Sequence, residues 1–313
     1  MTYDVLTSGY VSLDHIIKVL TPVKKGCTSI IANADHNRIQ YGGCSVNIAA
    51  ALSMLGINTL PLIRVGEDFE QSGFKCFLEE KGIATKDIPI IPEESTSACY
   101  LLQDSKNDHY TIYYPGAMDG KYASDYSDKL FQGVRLGIIT VASVEDNRRF
   151  LKKCNEYKIP VAFGMKDDFN AFPKDFLTKL LEESKYIFMN EIEEQILKDL
   201  YKVDEITDIF QMGNAQYIIT THGEKGSICY ERESKAIKRY KAGICCVESV
   251  VDATGSGDAY MSGFLYGMLK KRPVQECCQL GAALASFVIQ KEGCCTNLPT
   301  LEALTERMRT QEN

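Results

Sequence analysis

The stretch "VVDATGSGDAYMSGFLYG" covers residues 250–267 and contains Gly255-Ser256-Gly257-Asp258. After Asp258, the apolar residues Met261, Phe264, Leu265, Met268 and Leu269 recur at helical spacing. Lys270, Lys271 and Arg272 suit the negative end of that helix, and Pro273 stops it. The glycines therefore mark a helix N-terminus. The first backbone N–H groups of a helix lack intrahelical partners, and glycines let an anion approach them closely. Asp258 has two readings there. It caps the helix, or it takes a proton from a hydroxyl that attacks a phosphoryl group held by the amides. A dinucleotide fingerprint would need glycine where Tyr260 stands, and the Gly-Lys-Ser/Thr of a P-loop is missing.

Such a loop must be positioned by larger elements. "LGIITVAS" (136–143), "IPVAFG" (159–164), "YIFMN" (186–190) and "QYIITT" (216–221) are short β-branched runs separated by amphipathic segments. The alternation predicts a mostly parallel sheet with helices on both faces. Ligands of such sheets bind beyond the carboxyl ends of the strands. Asn190, Thr221 and the Gly255 loop fall at such ends. Two regions break the pattern. Residues 10–40 lack a helical period. Residues 98–114 read as two strands around Ser105–Asp108. They predict a small antiparallel sheet, acting as a lid or merely extending the main sheet.

The bulk numbers exclude several classes. The 313 residues allow one large α/β domain or two smaller ones. A net charge of -7 offers no general field for nucleic acid or anionic membrane. The N-terminus has no basic region followed by a long apolar run, and no 18-residue apolar stretch occurs, so a cytoplasmic protein is expected. Twelve cysteines are many, yet no C-x-x-C occurs and no histidine lies near a cysteine pair. Zinc and disulfides are not expected, and the thiols read as small apolar residues.

Four segments together resemble the ribokinase-like (PfkB) kinase family. "DATGSGDAYMSGF" is similar to its carboxyl-terminal signature and "YGGCSVNIAAALSMLG" (41–56) to its amino-terminal one. "MNEIE" (189–193) carries its Asn-x-x-Glu motif as Asn190 and Glu193, and "TTHGEKGS" (220–227) resembles its nucleotide-binding strand and loop. The resemblance covers essentially the whole chain. It implies a ribokinase-like three-layer α/β/α core with a small β lid, and an ATP-dependent phosphotransferase. Asp258 would be the general base, with Gly255, Ser256 and Gly257 as the anion hole. Asn190 and Glu193 would organise Mg²⁺ and the phosphates. Thr221, Gly223 and Gly226 would line the ATP site. Asp14, Gly42, Gly43 and Asn47 would bind the phosphate acceptor. Asp252 and Thr254 match positions that contribute to a monovalent-cation (K⁺) site in many members, although "KEGCCTNLP" departs from the ribokinase pattern.

The residues themselves bear on those roles. Asp14 follows a predicted strand, "DVLTSGYVSLD", and a carboxylate can accept two hydrogen bonds from vicinal hydroxyls. Asn47 is a poor helix former inside a predicted helix, Ser45 to Leu55, and either caps it or binds a ligand. "VGEDFEQSGF", "AGICCVESVVDATGSGDAY" and "GAALASFVIQKEGCCTNLP" look most like the archaeal-type nucleoside kinase branch. The expected acceptor is thus the 5′-hydroxyl of a ribonucleoside, with a sugar kinase of the ribokinase or ketohexose type as the alternative. Tyr110, Ile112, Tyr113, Tyr114 and Pro115 could face a nucleobase or simply pack the sheet. The expected core is 1–9, 41–96 and 116–313, with 10–40 and 97–115 as the lid. The resemblance also implies a homodimer formed through the lid.

Overall fold

The computed structural model describes residues 2–105, 109–234 and 236–309. The strands are Val5–Ser8 (β1), Ser12–Lys18 (β2), Ile39–Gly42 (β3), Thr59–Pro61 (β4), Ala98–Gln103 (β5), His109–Tyr114 (β6), Leu136–Ile139 (β7), Val161–Gly164 (β8), Tyr186–Asn190 (β9), Tyr217–Thr221 (β10), Ser227–Arg232 (β11) and Ile237–Ala242 (β12). The helices are Cys44–Met54 (α1), Phe74–Glu80 (α2), Asp128–Phe131 (α3), Val144–Glu156 (α4), Lys174–Glu183 (α5), Glu191–Tyr201 (α6), Ser256–Leu269 (α7), Val274–Val288 (α8) and Leu301–Arg309 (α9).

Eight strands form one sheet in the order β12-β11-β10-β9-β8-β7-β1-β4. It is parallel from β10 to β4, while β11 and β12 add an antiparallel edge. β1, β7 and β8 are buried along their whole length, as strands covered on both faces must be. Side-chain alternation divides the core into two. Phe150, Phe176, Leu180 and Leu197, from α4 to α6, meet one face of the sheet. Phe264, Leu265, Leu284 and Leu304, from α7 to α9, meet the other, joined by Leu52 of α1. This is the three-layer α/β/α architecture. α7 and α8 pack backbone to backbone: a Cβ on Gly263 would stand 2.4 Å from the Leu280 carbonyl oxygen.

Four strands form a second sheet, β3-β2-β5-β6. It is mixed rather than purely antiparallel, because β2 and β5 run parallel. β3 reaches Gly42, so this sheet extends past residue 40. Of the expected turn Ser105–Asp108, residues 106–108 lie outside the described residues. "DVLTSGYVSLD" is two strands, one in each sheet. β1 ends at Ser8, and a Cβ at Gly9 would stand 2.1 Å from Thr140 Oγ1, so only glycine passes this point. Asp14 therefore lies inside β2 rather than after a strand. Among the described residues, no helix is long and apolar enough to cross a membrane.

Candidate active site

Gly255 is the N-cap of α7 and adopts a left-handed φ of 77°. A Cβ there would be strained, and would stand 2.7 Å from Cys294 Sγ. Asp258 is the third helical residue and is only 7% exposed. The N-cap itself, Gly255, has no side chain to close this helix start. Asn47 Nδ2 donates to Asp258 Oδ2 at 2.8 Å across 211 residues of sequence. The Asp258 carboxylate is thus tied to α1, a contact that helix capping alone does not require.

Asn47 does not cap α1. Its Oδ1 accepts from Cys295 Sγ at 3.4 Å. α1 starts at Gly43, whose φ is 93° and whose absent Cβ would stand 2.2 Å from the Tyr10 carbonyl. The next contact brings in β2: the vacant Cβ direction of Gly42 points at Asp14 Oδ2 (2.8 Å) and Asn47 Oδ1 (3.6 Å). Asp14, Gly42, Asn47 and Asp258 thus form one continuous line from the small sheet to the α7 N-terminus. Burial pushes the Asp14 carboxyl up to about 6, against the hydrogen bond from Ser12 and with a smaller upward push from Asp252.

On the other side of the α7 N-terminus is a cavity of about 790 Å³. Asn190, Thr221, Gly223, Gly226, Ser256 and Gly257 line it, together with apolar Ile192, Ile244, Val250 and Ile289. Thr221 ends β10 beside Asn190 at the end of β9. Asn190 and Glu193 form a capping box on α6. Asn190 Oδ1 accepts from the Ile192 and Glu193 amides at 2.9 and 2.8 Å, and Glu193 Oε2 accepts from the Asn190 amide at 2.8 Å. Burial raises the Glu193 carboxyl above its ordinary value. Asp252 ties two loops together: Oδ1 accepts from the Thr254 amide at 2.9 Å and Oδ2 from the Gly293 amide at 3.2 Å.

The aromatics of the small sheet divide by strand parity. Asp14, Cys99 and Tyr113 pair across β2, β5 and β6, so they share one face of the small sheet. Tyr110, Ile112 and Tyr114 fall on the opposite face and are exposed. Tyr113 packs on Tyr10, with ring centroids 4.8 Å apart. Of the five residues offered as a base platform, Tyr113 alone shares the Asp14 face. Pro115 lies beyond the end of β6.

Sequence reasoning missed Lys166. It follows β8, and its ammonium is held protonated above the ordinary lysine range by the charge of Asp258 first, with Glu193 also contributing. A cation just beyond the carboxyl end of a central strand was the available signal. It also missed the thiols around Asp258. Burial pushes Cys44 and Cys295 each up to about 12, so they are neutral and add no charge.

A pfkB family carbohydrate kinase profile matches residues 7–301. The nucleoside kinase of Methanocaldococcus jannaschii is 32% identical over 301 residues, covering 96% of this chain and 95% of that protein. A ribokinase of Haemophilus influenzae is 25% identical over 316 residues, covering 95% and 96%. The crystal structure of the M. jannaschii nucleoside kinase, described as an archaeal member of the ribokinase family, superposes with a TM-score of 0.87 at 29% identity. It covers 99% of this chain and 100% of that one. With a glycine-led helix N-terminus, a buried Asp258 and a two-sided cleft already in place, the match over nearly the full length shows that this chain belongs to the pfkB family of carbohydrate kinases.

Proposed function

We propose that this protein is an ATP-dependent nucleoside kinase that phosphorylates the 5′-hydroxyl of a ribonucleoside. The observation that carries this reading is Asp258: a buried carboxylate in the first turn of a glycine-led helix, hydrogen-bonded by Asn47, which itself lies beside Gly42 and Asp14. Asp14 would accept hydrogen bonds from the ribose hydroxyls, and Gly42, whose open side points at Asp14 and Asn47, would let the sugar approach the backbone, while the open side of Gly43 is taken by the Tyr10 carbonyl. The primary hydroxyl would then lie against Asp258. Asp258 takes its proton, the oxygen forms a bond to the γ-phosphorus, and the bond to the β–γ bridging oxygen breaks to release ADP. The amides at Gly255 and Gly257 would face the charge that develops on the phosphoryl oxygens, joined by the Ser256 amide if it gives up its 3.2 Å bond to the Ala253 carbonyl.

The cavity on the donor side suits ATP. Its apolar walls offer the base a dry surface, while Thr221, Gly223 and Gly226 lie along its β10 side. The donor set also fits Mg²⁺. The capping box uses Glu193 Oε2 and leaves Oε1 to hold a metal-bound water, with Asn190 beside it. Bound Mg²⁺ would neutralise phosphate charge. Asp252 keeps lone pairs beyond its two amide contacts, so with Thr254 it could serve a monovalent cation such as K⁺. Residues 10–40 and 97–115 would act as a lid over the core of 1–9, 41–96 and 116–313.

A free pentose is the second reading. It is favoured by the turning away of Tyr110, Ile112 and Tyr114, which leaves the base only the Tyr10–Tyr113 wall. A coupled assay of ADP release over nucleosides, pentoses and hexoses decides between the two. Turnover of nucleosides alone supports the proposal; turnover of free sugars alone overturns it.

A further inference from the structure

We infer that Lys166 binds the γ-phosphoryl group of ATP, between Asp258 and Glu193. The inference rests on the kinase reading above and deepens it. β8 runs between β7 and β9. One residue past its end, the Met165 amide still donates to the Phe188 carbonyl at 2.8 Å, so the chain keeps its place beside β9. Phe188 lies two residues before Asn190. On the other side, a Cβ at Gly164 would stand 3.3 Å from Met261 Sδ, and Met261 is three residues along α7 from Asp258. The chain thus delivers Lys166 to the space between the α6 cap and the α7 N-terminus.

The groups whose charge would act on its ammonium are Asp258 first, then Cys44, Glu193 and Cys294. The thiols are protonated, as burial drives both upward. The anions are therefore the two carboxylates, one on the acceptor side and one on the donor side. Lys166 makes no salt bridge with either within 4.0 Å among the described residues. An ammonium drawn into the protein without a direct partner is costly unless an anion completes its surroundings. The anion that must come to rest between a donor-side and an acceptor-side carboxylate is the phosphoryl group in transfer. Its charge spreads over three equatorial oxygens, which a compact lysine cation can meet.

The alternative is a purely structural cation that relieves repulsion between Asp258 and Glu193. The two roles separate in nucleotide preference, because ATP carries a γ-phosphate and ADP does not. Calorimetric affinities for ADP and for the imido analogue of ATP would be compared in wild type, Lys166→Met and Lys166→Arg. Lys166→Met should weaken the imido analogue by about ten- to a hundred-fold, as expected for a lost charged hydrogen bond, while ADP affinity stays level. Its kcat should fall by about 10²–10³-fold, the usual cost of removing one donor to a developing oxyanion, and Lys166→Arg should recover part of it. An equal loss for both nucleotides, or an unchanged kcat, overturns the inference. If Lys166→Met does not fold, Lys166→Gln carries the same comparison. Normal turnover by Asp258→Asn would sink the kinase reading itself. An inactive Asp258→Asn beside a fully active Lys166→Met would sink this inference alone.

Discussion

At the scale of single residues, the proposed acceptor side holds a costly carboxylate. Asp14 is held at about 6 by burial, whereas an unfolded aspartate titrates near 3.8. Below about pH 4 the group is protonated in both states. As pH rises from there through 6, the unfolded chain ionises first and folding loses stability. The loss is at most about 3 kcal/mol for a shift of this size. Asp14→Asn should lack that loss. Urea denaturation at pH 4 and pH 7.5 checks it: wild type should fall relative to the variant across this window, and parallel behaviour would contradict it. The same titration should appear in binding. If the ionised form receives the ribose hydroxyls, acceptor kcat/KM should rise by roughly tenfold per unit up to pH 6 and then level off. An acceptor kcat/KM flat from pH 5 to 7 would remove Asp14 from the binding set.

At the scale of elements, two glycine-led helix starts aim the chemistry. α1 carries Asn47 and α7 carries Asp258, and each begins at a residue with positive φ. Gly43→Ala meets both the strain of φ 93° and the Tyr10 carbonyl 2.2 Å away. It should cost at least about 2–3 kcal/mol, read by denaturant unfolding. A loss below 1 kcal/mol would mean that α1 can start elsewhere. The motifs on these helices were legible, because a Gly-Gly or Gly-Ser-Gly-Asp start is a local pattern. The bond between Asn47 and Asp258 was not, because it joins residues 211 apart and depends on how α1 meets α7. Strand parity in 98–114 was equally visible, but which face meets Asp14 depends on pairing with β2. Lys166 left no motif at all. Its meaning comes from the strands on either side of β8 and from α7 above it.

At the scale of the whole molecule, the small sheet has one face toward the cleft and one toward solvent. The outward face carries Tyr100, stacked on His15 at 5.0 Å, with Tyr110 and Ile112; Tyr100 is 41% and Ile112 61% exposed. A second copy of the chain is the proposed cover for it. Ile112→Arg should then shift sedimentation from dimer to monomer, and a monomeric wild type would rule the dimer out. The large sheet meanwhile presents the cavity of about 790 Å³, the proposed donor site, at the ends of β9 and β10, and the small sheet presents Asp14 on the other side of the α7 N-terminus. The central claim is that Asp258, at the meeting of the two, takes the proton of the attacking hydroxyl. The most direct test is kcat of Asp258→Asn with a nucleoside that wild type phosphorylates. Asparagine keeps the size of the side chain but cannot act as a comparable base. The account predicts a fall of at least about 10²–10⁴-fold, with thermal stability and ATP affinity retained. Near-normal turnover by the folded variant would contradict it.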